Sequence, residues 1–432
     1  MNNNPIEIGA PMQRLIGVLV FLFPFLSLIT PSGIGFSSIA FLLAFLCVPR
    51  KAWQALARHW PDIRWVVFAF GFNVLLALAC VLLRPETDLR YLDKPSRMLM
   101  GMGAMALVVL ARPPRSTLWW GVTAGAVAAL PFVGYQRIVL EIPRPGGWLN
   151  PITFGDLALC LCLVALAAAI DYRHSTRKAI LPAIGALAGL AGMILTGSRG
   201  GWIALALAAV LFLTYARLLR SRRVRLLVAG SFALFAATFF VPATGMTERV
   251  GQGVHDVQTW MDGGSAFTNV GIRLELWTGA RYLIEERPLF GRDPATARAA
   301  LGGLVGQGKL QDVVLAPDHM HNDALQALVT GGVFGLAAWI GILAAPFAFF
   351  ARLLGRGAYR GETPLSPQAA QLFAPALAGM LVVLSYFSFG LTEVIFWSLK
   401  GSMFYALMVF LLMGFCLNAK AAQVNPDNKH GQ

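Results

Sequence analysis

The sequence is poor in charge, in cysteine and in buried acid, and each shortage excludes something. Only 13% of the 432 residues are charged, against 57% hydrophobic. A soluble domain carries about 25% charge and about 45–50% apolar residues, so a water-soluble chain is excluded. The five cysteines (Cys47, Cys80, Cys160, Cys162, Cys416) fall in or at the ends of apolar runs, which leaves no disulfide framework and no cysteine zinc site. There is no long polar block to form a separate soluble domain, so residues 1–432 are expected to make one membrane domain. A cleavable signal peptide is also missing. The apolar run from about Leu15 to Ile29 has no small-residue cleavage site and reads as a retained first span. Asp156 is the one acidic residue placed well inside a span. Ion-coupled transporters bury several ionisable groups and often show internal repeats; with neither found here, a lipid or solute transporter is the weaker class.

Apolar runs fill most of the length. The hydrocarbon core is roughly 30 Å thick and asks for about 20 apolar residues per helix. The fold class expected is an all-α polytopic membrane protein of about twelve spans, near 14–30, 33–48, 65–83, 97–111, 117–136, 152–170, 179–196, 201–219, 226–241, 324–350, 372–391 and 401–418. Placing the N-terminus inside puts twenty Lys and Arg on the inner side and fifteen on the outer, seven of the fifteen in one long loop. Long loops translocate regardless of charge, so the deciding contrast is twenty to eight, and both termini are expected to be cytoplasmic. The net charge of +14 is spread between spans rather than gathered on one surface. Membrane anchoring and lipid-linked phosphate account for it, and no nucleic-acid partner is expected.

The long loop, residues 242–323, then lies on the outer face between spans nine and ten. Loops of this size are functional or disordered. This one carries Trp260, Phe267, Leu274, Leu276, Trp277, Leu283 and Ile284, enough apolar material to fold. Arg273–Glu286 has helical spacing, with Asn269 as a candidate cap and Pro288 as the stop. Arg273 would sit in the first turns, where a bound anion is favoured; an interfacial helix with snorkelling arginines is the plainer reading. A second candidate is the turn Thr196–Gly197–Ser198–Arg199–Gly200–Gly201. Its glycines permit close approach, Ser198 can cap the next helix, and Arg199 stands beside that helix N-terminus, so the turn suits an anion. A short turn with an interfacial arginine has the same composition.

The third candidate is Asp318–His319–Met320–His321–Asn322–Asp323, where the loop re-enters the membrane. Imidazole is suited to moving protons near neutral pH. His319 and His321 lack the further His or Cys that a zinc site wants, so no metal and no cofactor are expected. Lys94, Arg97 and Glu393 lie near the same side; Glu86, Asp88 and Asp93 are at hand to pair with the two cations.

His321–Asn322, nine residues, Gly332, two residues, Gly335 resembles the H-[NSQ]-x9-G-x2-[GTY] pattern of bacterial O-antigen ligases. The turn around Arg199 and the stretch Arg273, Trp277, Pro288, Gly291 are similar to the ligase and polymerase superfamily as well. The resemblance implies a GT-C-like fold in the Gram-negative inner membrane with a periplasmic active site. It implies metal-independent, inverting transfer of a polysaccharide from undecaprenyl pyrophosphate to lipid A–core. In that reading His321 is the general base, Arg199 and Arg273 hold the pyrophosphate, and Lys94, Arg97, Asn322 and Glu393 are further candidates for substrate binding. O-antigen polymerases and protein O-oligosaccharyltransferases belong to the same superfamily. Two substantial outer loops typify the former, and a longer chain the latter. Only one large loop is expected here, which favours the ligase.

Overall fold

The computed structural model describes residues 8–84, 86–173, 175–198, 200–214, 222–237, 246–355 and 367–424. Within them the chain is all helical. The order is α1 Ala10–Ile29, α2 Gly33–Cys47, α3 Pro49–Arg58, α4 Trp60–Leu83, α5 Asp93–Met100, α6 Met102–Ala111, α7 Ser116–Ile138, α8 Pro151–Asp171 and α9 Thr176–Thr196. It continues with α10 Gly201–Thr214, α11 Arg222–Ala237, α12 Met246–Met261, α13 Gly271–Glu286, α14 Pro294–Gly306, α15 Asp323–Gly355, α16 Pro367–Thr392 and α17 Leu399–Val424.

Among the described residues the number of helices able to span falls below the expected twelve. Among the described residues eight helices are long and apolar enough to cross a membrane, or nine if α2 and α3 count as one bent span. The chain turns by 94° between those two. The expected span 97–111 is broken at Gly101 into α5 and α6, and α10 offers only a short apolar stretch, Gly201–Phe212. The C-terminal ends of the expected spans 201–219 and 226–241 lie outside the described residues. Apolar runs mark where the long helices form, and among the described residues their continuity and length separate those able to span from those that are not.

Helices α8, α16 and α17 form the centre, each with 89% of its spanning window buried. Around them α9 packs on α8, α1 on α7, and α15 on both α16 and α4. Small residues permit the close approaches. A Cβ on Gly189 would stand 2.7 Å from the Ala158 carbonyl oxygen, and one on Gly121 would stand 2.3 Å from that of Phe21. Close backbone contact of this kind is what holds helices together where lipid removes the hydrophobic drive.

The segment before α15 is folded, as its apolar content predicts. Helices α12, α13 and α14 and a 3-10 turn at Asp312–Leu315 enclose a second core of Leu276, Ala280, Leu283, Leu301 and Val314, with Trp260 and Trp277 against it. Phe267 stays exposed. Helix α13 starts at Gly271 with Val270, not Asn269, at its N-cap, and the Gly271 N–H donates to Thr268 Oγ1 at 2.9 Å. Buried Glu275 ties this unit together, accepting from Trp260 Nε1 at 2.8 Å and from the Gln311 N–H at 2.7 Å. Sequence periodicity placed the helix correctly, and α13 ends at Glu286, before Pro288.

Candidate active site

The segment His319–Met320–His321 joins the folded loop to α15, and hydrogen bonds hold it on both sides of Met320. The Met320 N–H donates to Gln326 Oε1 at 2.9 Å, and Trp277 Nε1 donates to the Met320 carbonyl at 3.0 Å. Asn322 caps α15 by accepting from the Leu325 N–H at 3.0 Å, and its own amide donates to the Leu391 carbonyl at 3.1 Å. Elements α13, α15 and the end of α16 thus meet on four residues. Between these anchors His321 is held at φ +49°, a left-handed conformation uncommon for a residue with a side chain. Such strain persists where the surroundings impose it, and it clusters at functional sites.

At the end of α16, Glu393 meets both histidines. Its Oε2 lies 3.1 Å from His321 Nδ1, and its Oε1 lies 3.3 Å from His319 Nε2. Burial pushes the Glu393 carboxyl up, but the hydrogen bond and charge of His321, the charge of His319 and the Val394 N–H outweigh that and hold it below the usual range. Burial lowers the His319 imidazole despite the neighbouring carboxylate.

Two cations, Arg273 and Lys94, lie near this cluster. Burial also lowers Arg273, opposed by the charge of Glu393. Among the described residues no hydrogen-bond partner takes its guanidinium. Lys94 donates to the Trp397 carbonyl at 2.8 Å and stands 4.7 Å from that indole's ring centre, while the His319 ring lies 6.0 Å from the same ring. Burial lowers Lys94 too, with Asp323 and Asp93 opposing. Arg97 is turned away. It pairs with Asp93 at 2.7 Å and lines a separate cavity with Ser38, Phe41 and Met403. Arg199 lies outside the described residues. Its neighbours do not: Ser198 Oγ donates to buried Asp156 at 3.3 Å, and a Cβ on Gly200 would stand 2.6 Å from Thr392 Oγ1, one residue before Glu393.

The glycines of the motif explain themselves as backbone contacts. Helix α15 breaks at Gly332, with φ +60° and ψ −153°, a region essentially reserved for glycine. The loop Pro288–Gly291 inserts at this break: the Val333 N–H donates to the Pro288 carbonyl at 2.8 Å, and the Arg292 N–H to the Val329 carbonyl at 2.8 Å. A Cβ on Gly332 would lie 2.2 Å from Leu289 backbone atoms, and one on Gly291 would lie 2.4 Å from the Val329 carbonyl. Arg84, only 5% exposed, clamps both sides through the carbonyls of Phe290 and Thr330.

Beside the site a cavity of about 350 Å³ opens between α4, α5 and α15, lined chiefly by apolar groups such as Leu76, Met98 and Ile342, with Lys94 and Trp397 where it adjoins the polar cluster. His319, His321 and Glu393 could also hold a metal ion, since one ligand atom from each lies within 4.8 Å of the others. The two histidines are visible in the sequence; the third group, 72 residues beyond His321, is supplied only by folding. Sequence reasoning likewise gave Arg84 and Gln326 no role, and named Trp277 only as part of a pattern. Their work is done through backbone carbonyls and amides, which leave no motif.

Apolar helices carrying an imidazole–carboxylate cluster and fixed cations at their ends define a multi-pass membrane protein with a polar site beside an apolar cavity. Residues 184–340 match the family model described as O-antigen ligase, and this supports membership of the O-antigen ligase superfamily. The matched stretch holds Arg199, Arg273, His321, Gly332 and Gly335, while Lys94 and Glu393 lie outside it. The chain is also similar to a protein of Haemophilus influenzae whose printed name is "Uncharacterized protein", 22% identical over 346 residues, which cover 78% of this chain and 85% of that protein.

Proposed function

We propose that the protein is a membrane glycosyltransferase, an O-antigen ligase that moves a polysaccharide from undecaprenyl pyrophosphate to lipid A–core at the periplasmic face of the inner membrane. The observation that carries this reading is the contact of His321 Nδ1 with Glu393 Oε2 at 3.1 Å. A neutral imidazole donates from one nitrogen and accepts at the other. With Nδ1–H given to the carboxylate, the lone pair sits on Nε2, where a general base needs it.

The reaction balances with these groups. An acceptor sugar hydroxyl attacks the anomeric carbon of the donor from the face opposite the pyrophosphate, forming the new C–O bond as the C–O bond to phosphate breaks. His321 Nε2 takes the hydroxyl proton. The electron pair leaves with undecaprenyl pyrophosphate, whose developing charge is met by Arg273 and Arg199, always-charged forks suited to phosphate. Lys94 adds charge at the mouth of the apolar cavity, which suits a prenyl chain. Attack from the opposite face gives inversion. This scheme needs no metal ion.

The test is transfer by the purified, reconstituted chain, given undecaprenyl-pyrophosphate glycan and lipid A–core, with chelator and without nucleotide. Glycan on lipid A–core for the native chain and none for His321→Ala is the expected result. Activity that chelator removes and one added divalent metal restores would turn the His–His–Glu cluster into a metal site. Chain growth on the lipid carrier instead would make the protein a polymerase.

A further inference from the structure

Two histidines share one carboxylate at this site, and the proposed reaction uses only one of them. Their hydrogen bonds distinguish them. His319 Nδ1 lies 3.3 Å from the backbone nitrogen of His321. A backbone N–H can only donate, so Nδ1 must be the accepting nitrogen of His319. Its proton is then on Nε2, which faces Glu393 Oε1 at 3.3 Å. Both nitrogens of His319 are engaged, and its tautomer is set by the main chain.

The consequence passes to His321. With Oε1 engaged by His319, Glu393 presents Oε2 to His321 Nδ1 at 3.1 Å. Of the four imidazole nitrogens in the pair, three are engaged. The fourth, His321 Nε2, has no partner among the described residues. The rings stand 4.5 Å apart at 74°, so the imidazole of His319 also braces the other edge-on. Meanwhile its Nδ1 holds the backbone of the residue forced to φ +49°. The groups facing His319 are Glu393, His321, Asp318 and Arg273, and burial favours its neutral form, the state this arrangement needs.

We propose that His319 is a positioning residue: it fixes the left-handed backbone of His321 and the rotamer of Glu393, so that the lone pair of His321 Nε2 faces the substrate, and it takes no proton itself. This rests on the reading of His321 as base given above.

The full chain in proteoliposomes tests it, with kcat and both KM values measured for His319→Ala, His319→Asn, His319→Gln and His321→Ala. Asparagine places an accepting oxygen near Nδ1; glutamine places a donating nitrogen near Nε2. Misplacing a reacting group by about 1 Å costs roughly a hundredfold in rate. His319→Ala is therefore expected to lose about a hundredfold in kcat with both KM values unchanged, and Asn and Gln each to recover about tenfold of it. Should the alanine variant fail to give a monodisperse peak, Asn and Gln are compared with the native chain, and each should then be about tenfold slower at native KM. Native kcat in His319→Ala, no recovery with either Asn or Gln, or altered KM values would overturn the proposal. Equal inactivity of every His319 variant and His321→Ala would do so too, by making His319 a base. Full activity of His321→Ala would instead retire the base reading itself, separating the two failures.

Discussion

Glu393 Oε2 and His321 Nδ1 lie 3.1 Å apart although 72 residues separate them. The carboxylate comes from the end of α16 and the imidazole from the turn before α15, so the pair exists only because those two helices pack together.

Glu393→Gln keeps the shape of the side chain but removes the charged acceptor that orients the imidazole. General base catalysis contributes about 10²–10⁴-fold, and weakening rather than deleting it should cost kcat roughly tenfold to a hundredfold at unchanged donor KM. Steady-state kinetics in proteoliposomes decide this; a native kcat would show the carboxylate to be dispensable.

Among the described residues no hydrogen bond takes the Arg273 guanidinium. Arg273→Ala should cut kcat/KM for the lipid-linked donor by at least about tenfold, and Arg273→Lys should restore little, because a lysine cannot reproduce a bidentate fork. Acceptor KM is the internal control. If it alone moved, Arg273 would belong to the acceptor side.

Trp277→Phe retains the ring against the second core and removes the hydrogen bond to the Met320 carbonyl. A single hydrogen bond is worth about 0.5–1.5 kcal/mol net, so kcat should fall roughly twofold to tenfold. A change confined to the melting temperature, with kcat intact, would restrict Trp277 to packing.

Gly332→Ala would force a Cβ to within 2.2 Å of the Leu289 backbone in a conformation other residues avoid. Loss of at least about 2 kcal/mol of stability is expected, with the Pro288–Gly291 loop displaced. Expression, melting temperature and protease cleavage near residue 290 report it. Native behaviour in all three would mean that the loop yields.

Acid should weaken the fold through two groups whose signs agree. Glu393 is held below the usual carboxylate range: burial opposes this, and His321, His319 and the Val394 N–H prevail. Its contribution is therefore present above the unfolded value of about 4.3 and is lost as pH falls through the folded value. His319 is lowered by burial, so below about 6.5 the unfolded chain takes up a proton before the folded one does, and stability declines. Melting temperature in detergent should thus begin to fall near pH 6.5 and fall further below pH 4.5. His319→Gln should flatten the upper part of that fall. An unchanged profile in this variant would remove His319 from the account.

Much of this protein was legible in its residues. Apolar runs marked the long membrane helices, because the bilayer demands them, and the pattern His321, Asn322, Gly332, Gly335 pointed to one short region. The structure gives that pattern its reasons: Asn322 caps α15, and Gly332 and Gly335 admit backbone where a Cβ would collide. Which apolar helices are long enough to span was decided by breaks the hydropathy does not record, at Gly101 and at the bend after Cys47. Tertiary structure alone raised Glu393 from one of several candidates for substrate binding to the partner of two histidines, turned Lys94 toward the site and Arg97 away, and gave Arg84, Gln326 and Trp277 their backbone partners. The physical reason is common to all of these. Hydrophobic pattern and glycine tolerance act on the local chain and leave a periodic or positional trace, whereas a hydrogen bond across many residues depends on how helices pack and on nothing adjacent in sequence.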